Sequence, residues 1–161
     1  PFEPAVVTVG SIQAGHAPNI INDHVLMKLT VRTLNEQVRE TVLQRIHDIA
    51  VAQAESFNAT ATLTHVNGSP VLRNDPATNA MVREVATALF GAEQVGEGKP
   101  FMGSEDFAFM LEQHPHGSYF TIGAGDEPDR CMVHNPGYDF NDALLLTGAA
   151  LWCGLTERYL R

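Results

Sequence analysis

His24-Val-Leu-Met-Lys-Leu-Thr-Val-Arg-Thr33 decides the fold class. Val25, Met27, Leu29 and Val31 fall at every second position, with Lys28, Thr30 and Arg32 between them. Side chains alternate faces along a strand, so this pattern predicts a half-buried strand. Upstream, Ala5 to Gln13 is rich in β-branched residues and predicts a second strand. Gly15 to Asp23 carries Gly, Pro, Asn and Asp and reads as the loop between them. Downstream, Asn35 is a helix cap, and Val38, Val42, Ile46, Ile49 and Ala50 form an apolar stripe on a helix ending near Phe57. Thr60 to Val66 reads as a further strand, and Asn67-Gly68 as a turn.

A second start signal is Asp75-Pro76, a capping residue followed by proline at the first helical position. Met81, Val85, Ala88 and Leu89 give that helix its inner stripe, and Gly91 stops it. Gly96 to Gly103 reads as loop around a short strand. Ser104 to Glu112 reads as a helix capped by Ser104, and Ser118 to Ile122 as a strand. Residues 125–138 read as loop. Asn141 to Tyr159 reads as a final helix with Leu144, Leu145, Gly148, Leu151, Trp152 and Leu155 inward. The fold class is therefore α/β (α+β), with a boundary near residues 69–75: a small layer over 1–70 and part of an α/β layer over 71–161.

Of the 161 residues, 44% are hydrophobic and 18% charged, which fits a folded chain rather than a disordered one. The net charge of -9, with no run of Lys or Arg, excludes nucleic acid as a partner. No apolar run is long enough to span a bilayer, and an acidic, soluble, cytoplasmic protein is expected. Cys131 and Cys153 make neither a disulfide framework nor a C-x-x-C pair.

Several side chains could carry chemistry. His134 stands in a loop where Pro136 and Gly137 restrict the backbone, and a neutral imidazole is a good ligand for zinc-like metals. From spacing alone a hydrogen-bonded loop histidine is the plainer reading, since one histidine binds no metal by itself. Cys131 forms C-x-x-H with it, although a lone Cys is more often a small buried apolar group. Glu105 and Asp106 read as first-turn charges or as carboxylates facing a ligand. Asp139 and Asp142 read first as caps of the last helix. Arg32 lies on the polar face of its strand, where a guanidinium can grip a carboxylate in a fork, and Asn19 sits in the preceding loop. For both, a solvated polar face is the plainer reading. His114 and His116 read as surface residues.

Taken together, Met102-Gly-Ser-Glu-Asp-Phe-Ala-Phe-Met-Leu111, Tyr119-Phe-Thr-Ile-Gly-Ala-Gly125 and His134-Asn-Pro-Gly-Tyr-Asp-Phe-Asn-Asp142 resemble the closing segment of the hippurate hydrolase and auxin-conjugate amidohydrolase family. These are aminoacylase-type metallopeptidases related to bacterial glutamate carboxypeptidase. Val9-Gly-Ser-Ile-Gln-Ala-Gly-His-Ala-Pro-Asn-Ile-Ile-Asn-Asp23 and Leu29-Thr-Val-Arg-Thr33 resemble the family's lid. The resemblance implies a partial ferredoxin-like lid or dimerisation domain over 1–70 and the C-terminal part of a zinc-peptidase-like catalytic domain over 71–161. It implies hydrolysis of N-acyl amino acids or short peptides at two divalent metal ions, zinc or manganese. There the metals lower the pKa of a bridging water and a glutamate acts as general base.

Residue by residue, His134 matches the last metal ligand. Asn19 and Arg32 match lid positions that bind the substrate carboxylate, and Gly103, Ser104 and Glu105 match a loop lining the metal pocket. The family's other ligands, its general base and the first lid strand and helix have no counterpart in these residues. His16 stands where a threonine is common, and Asn22 where a proline is usual. One histidine cannot hold a dinuclear site, so this chain alone is expected to bind no catalytic metal tightly and to hydrolyse nothing. A C-terminal fragment is expected, since the chain opens Pro-Phe-Glu-Pro without Met. The alternatives are a non-catalytic binding or oligomerisation module and one half of a split enzyme. An open sheet edge predicts self-association, with a homo-oligomer expected.

Overall fold

The computed structural model describes residues 3–125 and 129–161, so residues 126–128 of the 125–138 loop lie outside the described residues. The chain divides into two compact units. One comprises Pro1–Val71 with Pro100–Ala108, the other Leu72–Lys99 with Phe109–Arg161.

In the first unit, strands β1 (Ala5–Ala14) and β2 (Val25–Thr33) form an antiparallel pair. The register runs from Ala5 opposite Thr33 to Ala14 opposite Val25. Val9 faces Leu29 while Ser11 faces Lys28, so Gly10 is the extra residue of a bulge. A residue without a Cβ suits that kink. Of the alternating residues Leu29 and Val31 are half-buried, whereas Val25 and Met27 are exposed. Helix α1 (Glu36–Glu55) packs on the pair, most heavily on β2. Asn35 caps it, its side-chain oxygen accepting from the N–H of Gln37 and Val38 at 2.8 and 3.4 Å.

The helix ends in a Schellman turn. Asn58 takes a left-handed φ of 55°, Ala59 N–H donates to Ala54 O and Asn58 N–H to Glu55 O, both at 3.0 Å. The half-buried stripe is Val38, Val42, Leu43, Ile46 and Ala50, whereas Ile49 is turned to solvent. The segment after α1 is held at its far end by the first helical turn. Glu36 accepts from Val71 N–H at 3.3 Å and pairs with Arg39.

In the second unit, helix α2 (Pro76–Phe90) starts where the Asp75-Pro76 signal places it. The Asp75 carboxylate accepts from both the N–H and the hydroxyl of Thr78 at 2.8 Å. Gly91, with φ 90°, closes the helix. Helix α3 (Phe107–Gln113) runs from the first unit into the second. Helix α4 (Leu145–Tyr159) follows a 3₁₀ turn at Asp142–Leu144. Val85, Leu151 and Leu155 are buried between α2 and α4, with Met81, Phe90 and Phe120 around them. Burying each such side chain contributes about 1.5–3 kcal/mol. Gly154 lets the helices approach: a Cβ there would stand 2.9 Å from Val85 Cγ1. The inner face of α4 is narrower than its composition predicts, since Leu145 and Trp152 are 70% and 62% exposed.

Thr60 to Val66, the segment around Gly96–Gly103 and Ser118 to Ile122 form no ladder among the described residues. Their residues suit an extended backbone, but a strand also needs a neighbouring edge in register. The architecture is thus mixed α/β, with one two-stranded sheet and four α-helices among the described residues. No described helix is long and apolar enough to cross a membrane.

Candidate functional site

The first unit carries Asn19, Arg32 and the Gly103-Ser104-Glu105 loop. Arg32 lies near the end of β2, opposite Val6. Its Nη1 donates to the Met102 carbonyl at 2.7 Å. The fold therefore brings the guanidinium against the loop that the sequence reading singles out separately. At Gly103 a Cβ would meet the Phe101 ring at 2.4 Å, so a side chain there would require the exposed ring to swing aside. Ser104 does not cap α3. Glu105 does: its Oε1 accepts from Phe107 N–H at 3.4 Å and its carbonyl from Ala108 N–H at 3.1 Å.

Asn19 is exposed in the connection between β1 and β2. That connection is shaped by Gly15, whose φ of 60° and contact with the Asn22 side chain leave no room for a Cβ. His16, Pro18, Ile20 and Asn22 line a shallow, open depression there. Asp23 and His24 pair at 2.6 Å, and the His24 hydrogen bond holds the Asp23 carboxyl below its ordinary range. Arg32 is seven strand positions beyond Val25, roughly 20 Å along β2. Asn19 therefore lies in the connection at one end of the hairpin and Arg32 near the other end of β2.

The second unit carries His134. Its backbone is left-handed, with φ 69°. A β-carbon disfavours that region, at a cost of about 1–2 kcal/mol. The turn around it is closely tied: Asn135 N–H donates to Met132 O at 3.1 Å, Gly137 N–H to Asn135 Oδ1 at 2.8 Å, and Tyr138 N–H to Asn135 O at 2.9 Å. A Cβ on Gly137 would stand 3.2 Å from Cys131 Sγ, so the thiol fills the space beside the turn. The imidazole itself is exposed. Asn141, rather than Asp139 or Asp142, caps the final helical segment. Its Oδ1 accepts from Ala143 N–H at 3.1 Å while its Nδ2 donates to Ala124 O at 3.0 Å. His116 lies at the surface, 3.9 Å from Asp75. The left-handed His134, the Met102 carbonyl and Asn141 are the features the sequence reading misses; only Asn141 has a signal there, as an Asn directly before the helical run.

Metal chemistry needs converging donors. Among the described residues no three His, Cys, Asp or Glu side chains gather to hold an ion. A zinc-type centre takes three or four protein ligands, so the described residues do not by themselves fit a two-metal centre.

Residues 3–158 match peptidase family M20/M25/M40. The chain is 32% identical to the hippurate hydrolase of Campylobacter jejuni over 162 residues, covering all of this chain and 41% of that protein. It is 32% identical to the N-acetyl-L-cysteine deacetylase of Bacillus subtilis over 146 residues, 91% of this chain and 34% of the relative. The chain thus spans well under half the length of these relatives. Among solved structures it superposes on the YXEP protein of Bacillus subtilis, a dinuclear metal-binding peptidase of the M20 family. The TM-score is 0.77 at 26% identity, over 94% of this chain and 40% of that one.

Proposed function

Since this chain belongs to peptidase family M20/M25/M40, a family of amide-bond hydrolases, we propose that it forms part of a metal-dependent amidohydrolase acting on N-acyl amino acids or short peptides. The observation that carries this reading is the placement of Arg32 beside Met102-Gly-Ser-Glu105. A guanidinium is the side chain best shaped to hold a free carboxylate, and the backbone next to it is opened by Gly103. In this reading Arg32 grips the substrate carboxylate, and Gly103, Ser104 and Glu105 line the pocket. Asn19 offers a separate polar contact at the other end of the hairpin. His134 supplies one ligand to a pair of zinc or manganese ions, its exposed imidazole presented by the constrained turn.

Residues 1–70 act as part of a lid and dimerisation domain and residues 71–161 as part of the catalytic domain, working in the cytoplasm. The remaining ligands and the general base come from outside these 161 residues, so the chain by itself hydrolyses nothing. Hippurate hydrolysis by a protein containing this segment together with those ligands, abolished by chelator and restored by zinc or manganese, is the expected result. Activity that survives complete metal removal would overturn the reading. His134→Ala should lower the metal content of that protein, measured by elemental analysis. Isothermal titration of the 161-residue chain with zinc should show no binding at micromolar concentration.

A second reading, a non-catalytic oligomerisation module, is favoured by one feature. Val7, Val9, Ile12, Val25 and Met27, on one face of the hairpin, are 47–61% exposed, an apolar area beside open strand edges. Self-association serves either reading. A hairpin-dependent dimer in light scattering, combined with no hydrolysis in any longer form of the protein, would favour the module.

A further inference from the structure

Arg32 and Met102 are 70 residues apart in sequence and joined by a single hydrogen bond of 2.7 Å. Among the described residues this is the one side-chain hydrogen bond between Pro100–Asp106 and the hairpin. The rest of that segment is weakly held. Phe101 is 69% exposed, Gly103 and Ser104 are exposed, and Glu105 is engaged with the start of α3. Yet the segment groups with the hairpin rather than with the helices that flank it in sequence. Within Pro100–Asp106 the side-chain hydrogen bond to the hairpin comes from Arg32, while the buried Ala108 seats the far end of the segment.

We propose that Arg32 is a positioning residue, whose guanidinium fixes the Met102-Gly-Ser-Glu105 segment onto strand β2. The chemistry suits the task. A hydrogen bond from a cation to a carbonyl is shorter and stronger than a neutral one. The contact uses one N–H of a group that carries several, so the outward fork stays available to a carboxylate. Loop positioning and carboxylate binding by Arg32 are therefore compatible, and the first stands whether or not the second does. They also differ in what they demand of the side chain. A carbonyl needs one charged donor, which lysine can supply. A carboxylate fork needs two parallel donors, which lysine cannot.

The test is backbone ¹⁵N relaxation on the 161-residue chain, comparing wild type, Arg32→Ala and Arg32→Lys. In wild type, Gly103, Ser104 and Glu105 should have order parameters near the ~0.85 of rigid backbone. Arg32→Ala should lower them below ~0.6, with Val85 and Leu151 unchanged. Arg32→Lys should restore them. Order parameters unaffected by Arg32→Ala overturn the proposal, as does a loop equally loose in the alanine and lysine variants. A measurement on wild type alone guards against a variant that does not fold. The two Nη groups of Arg32 should give separate, slowly exchanging nitrogen signals, unlike those of the terminal Arg161. A single averaged Nη signal for Arg32 also overturns it.

Discussion

The side-chain amide of Asn74 holds both backbone groups of Tyr119: its Nδ2 donates to the Tyr119 carbonyl, and its Oδ1 accepts from the Tyr119 N–H, each at 2.8 Å. One residue on, Asp75 N–H donates to Gly117 O at 2.9 Å. A side chain thus takes the place that a neighbouring strand would fill. Two hydrogen bonds contribute together about 1–3 kcal/mol. Asn74→Ala should destabilise the chain by that amount. Asn74→Asp sets a carboxylate oxygen against the Tyr119 carbonyl, so at neutral pH it should cost at least as much as the alanine change. Urea unfolding of the two variants checks this, and equal midpoints for wild type and Asn74→Ala would remove the clamp from the account.

That clamp explains what could and could not be read in the sequence. Ser118 to Ile122 has the residues of a strand, but at Tyr119 its partner is an amide side chain, which no local pattern announces. Thr60 to Val66 repeats the lesson. Signals that act within a few residues are legible: Asn35 and Asp75 as caps, Pro76 at the helix start, the helix end near Phe57, and the alternation of β2. Signals that depend on a distant surface are not. The stripe on α4 shows which face tolerates burial, yet Trp152 and Leu145 remain exposed because α2 covers only Leu151 and Leu155. For the candidate site, motif resemblance singles out His134, Arg32 and the Gly103 loop. The bond from Arg32 to the Met102 carbonyl is not, since a backbone oxygen leaves no trace in a sequence.

Acid sensitivity should trace in part to Asp75. The N–H of Thr78, then its hydroxyl, and more weakly the charge of His116, hold the Asp75 carboxyl below its ordinary range. A carboxyl depressed in the folded state adds stability that is complete above its unfolded pKa and fades as pH falls through the folded one. The loss should begin below about pH 4. Asp75→Asn keeps a good helix cap but removes the titration. Its urea midpoint should fall less steeply than that of wild type as pH is lowered from 5 to about 2. Parallel curves would mean that other groups carry the acid response.

Gly154→Ala should destabilise despite alanine's better helix propensity, which is worth about 1 kcal/mol. The new methyl would stand 2.9 Å from Val85 Cγ1 and 3.1 Å from Leu89 Cδ1. Val85 is buried and stiff at χ1, so the strain must be taken up by the α2–α4 packing. Overpacking of this kind costs about 1–3 kcal/mol, giving a net loss of roughly 1 kcal/mol. In a Val85→Ala background only the 3.1 Å approach to the flexible Leu89 side chain remains, and the same substitution should cost less or become neutral. A double-mutant cycle measures that coupling directly; additive effects would show that the two positions are not in contact.

His134 should be separable into a backbone cost and a side-chain role. Its φ of 69° opposes any residue with a β-carbon, while glycine takes it freely. His134→Ala keeps the strain and removes the imidazole, so its stability should stay near wild type, the ring being exposed. His134→Gly relieves the strain, worth about 1–2 kcal/mol, against about 0.5–1 kcal/mol of added freedom in the unfolded chain. The glycine variant should therefore be the more stable of the two by up to about 1 kcal/mol, read from urea midpoints at neutral pH. If glycine proves no more stable than alanine, the left-handed turn is not a source of strain. Should the gain appear, a residue that costs stability at this position is retained against a cheaper glycine. That retention is the pattern expected where a side chain is wanted for binding rather than for folding.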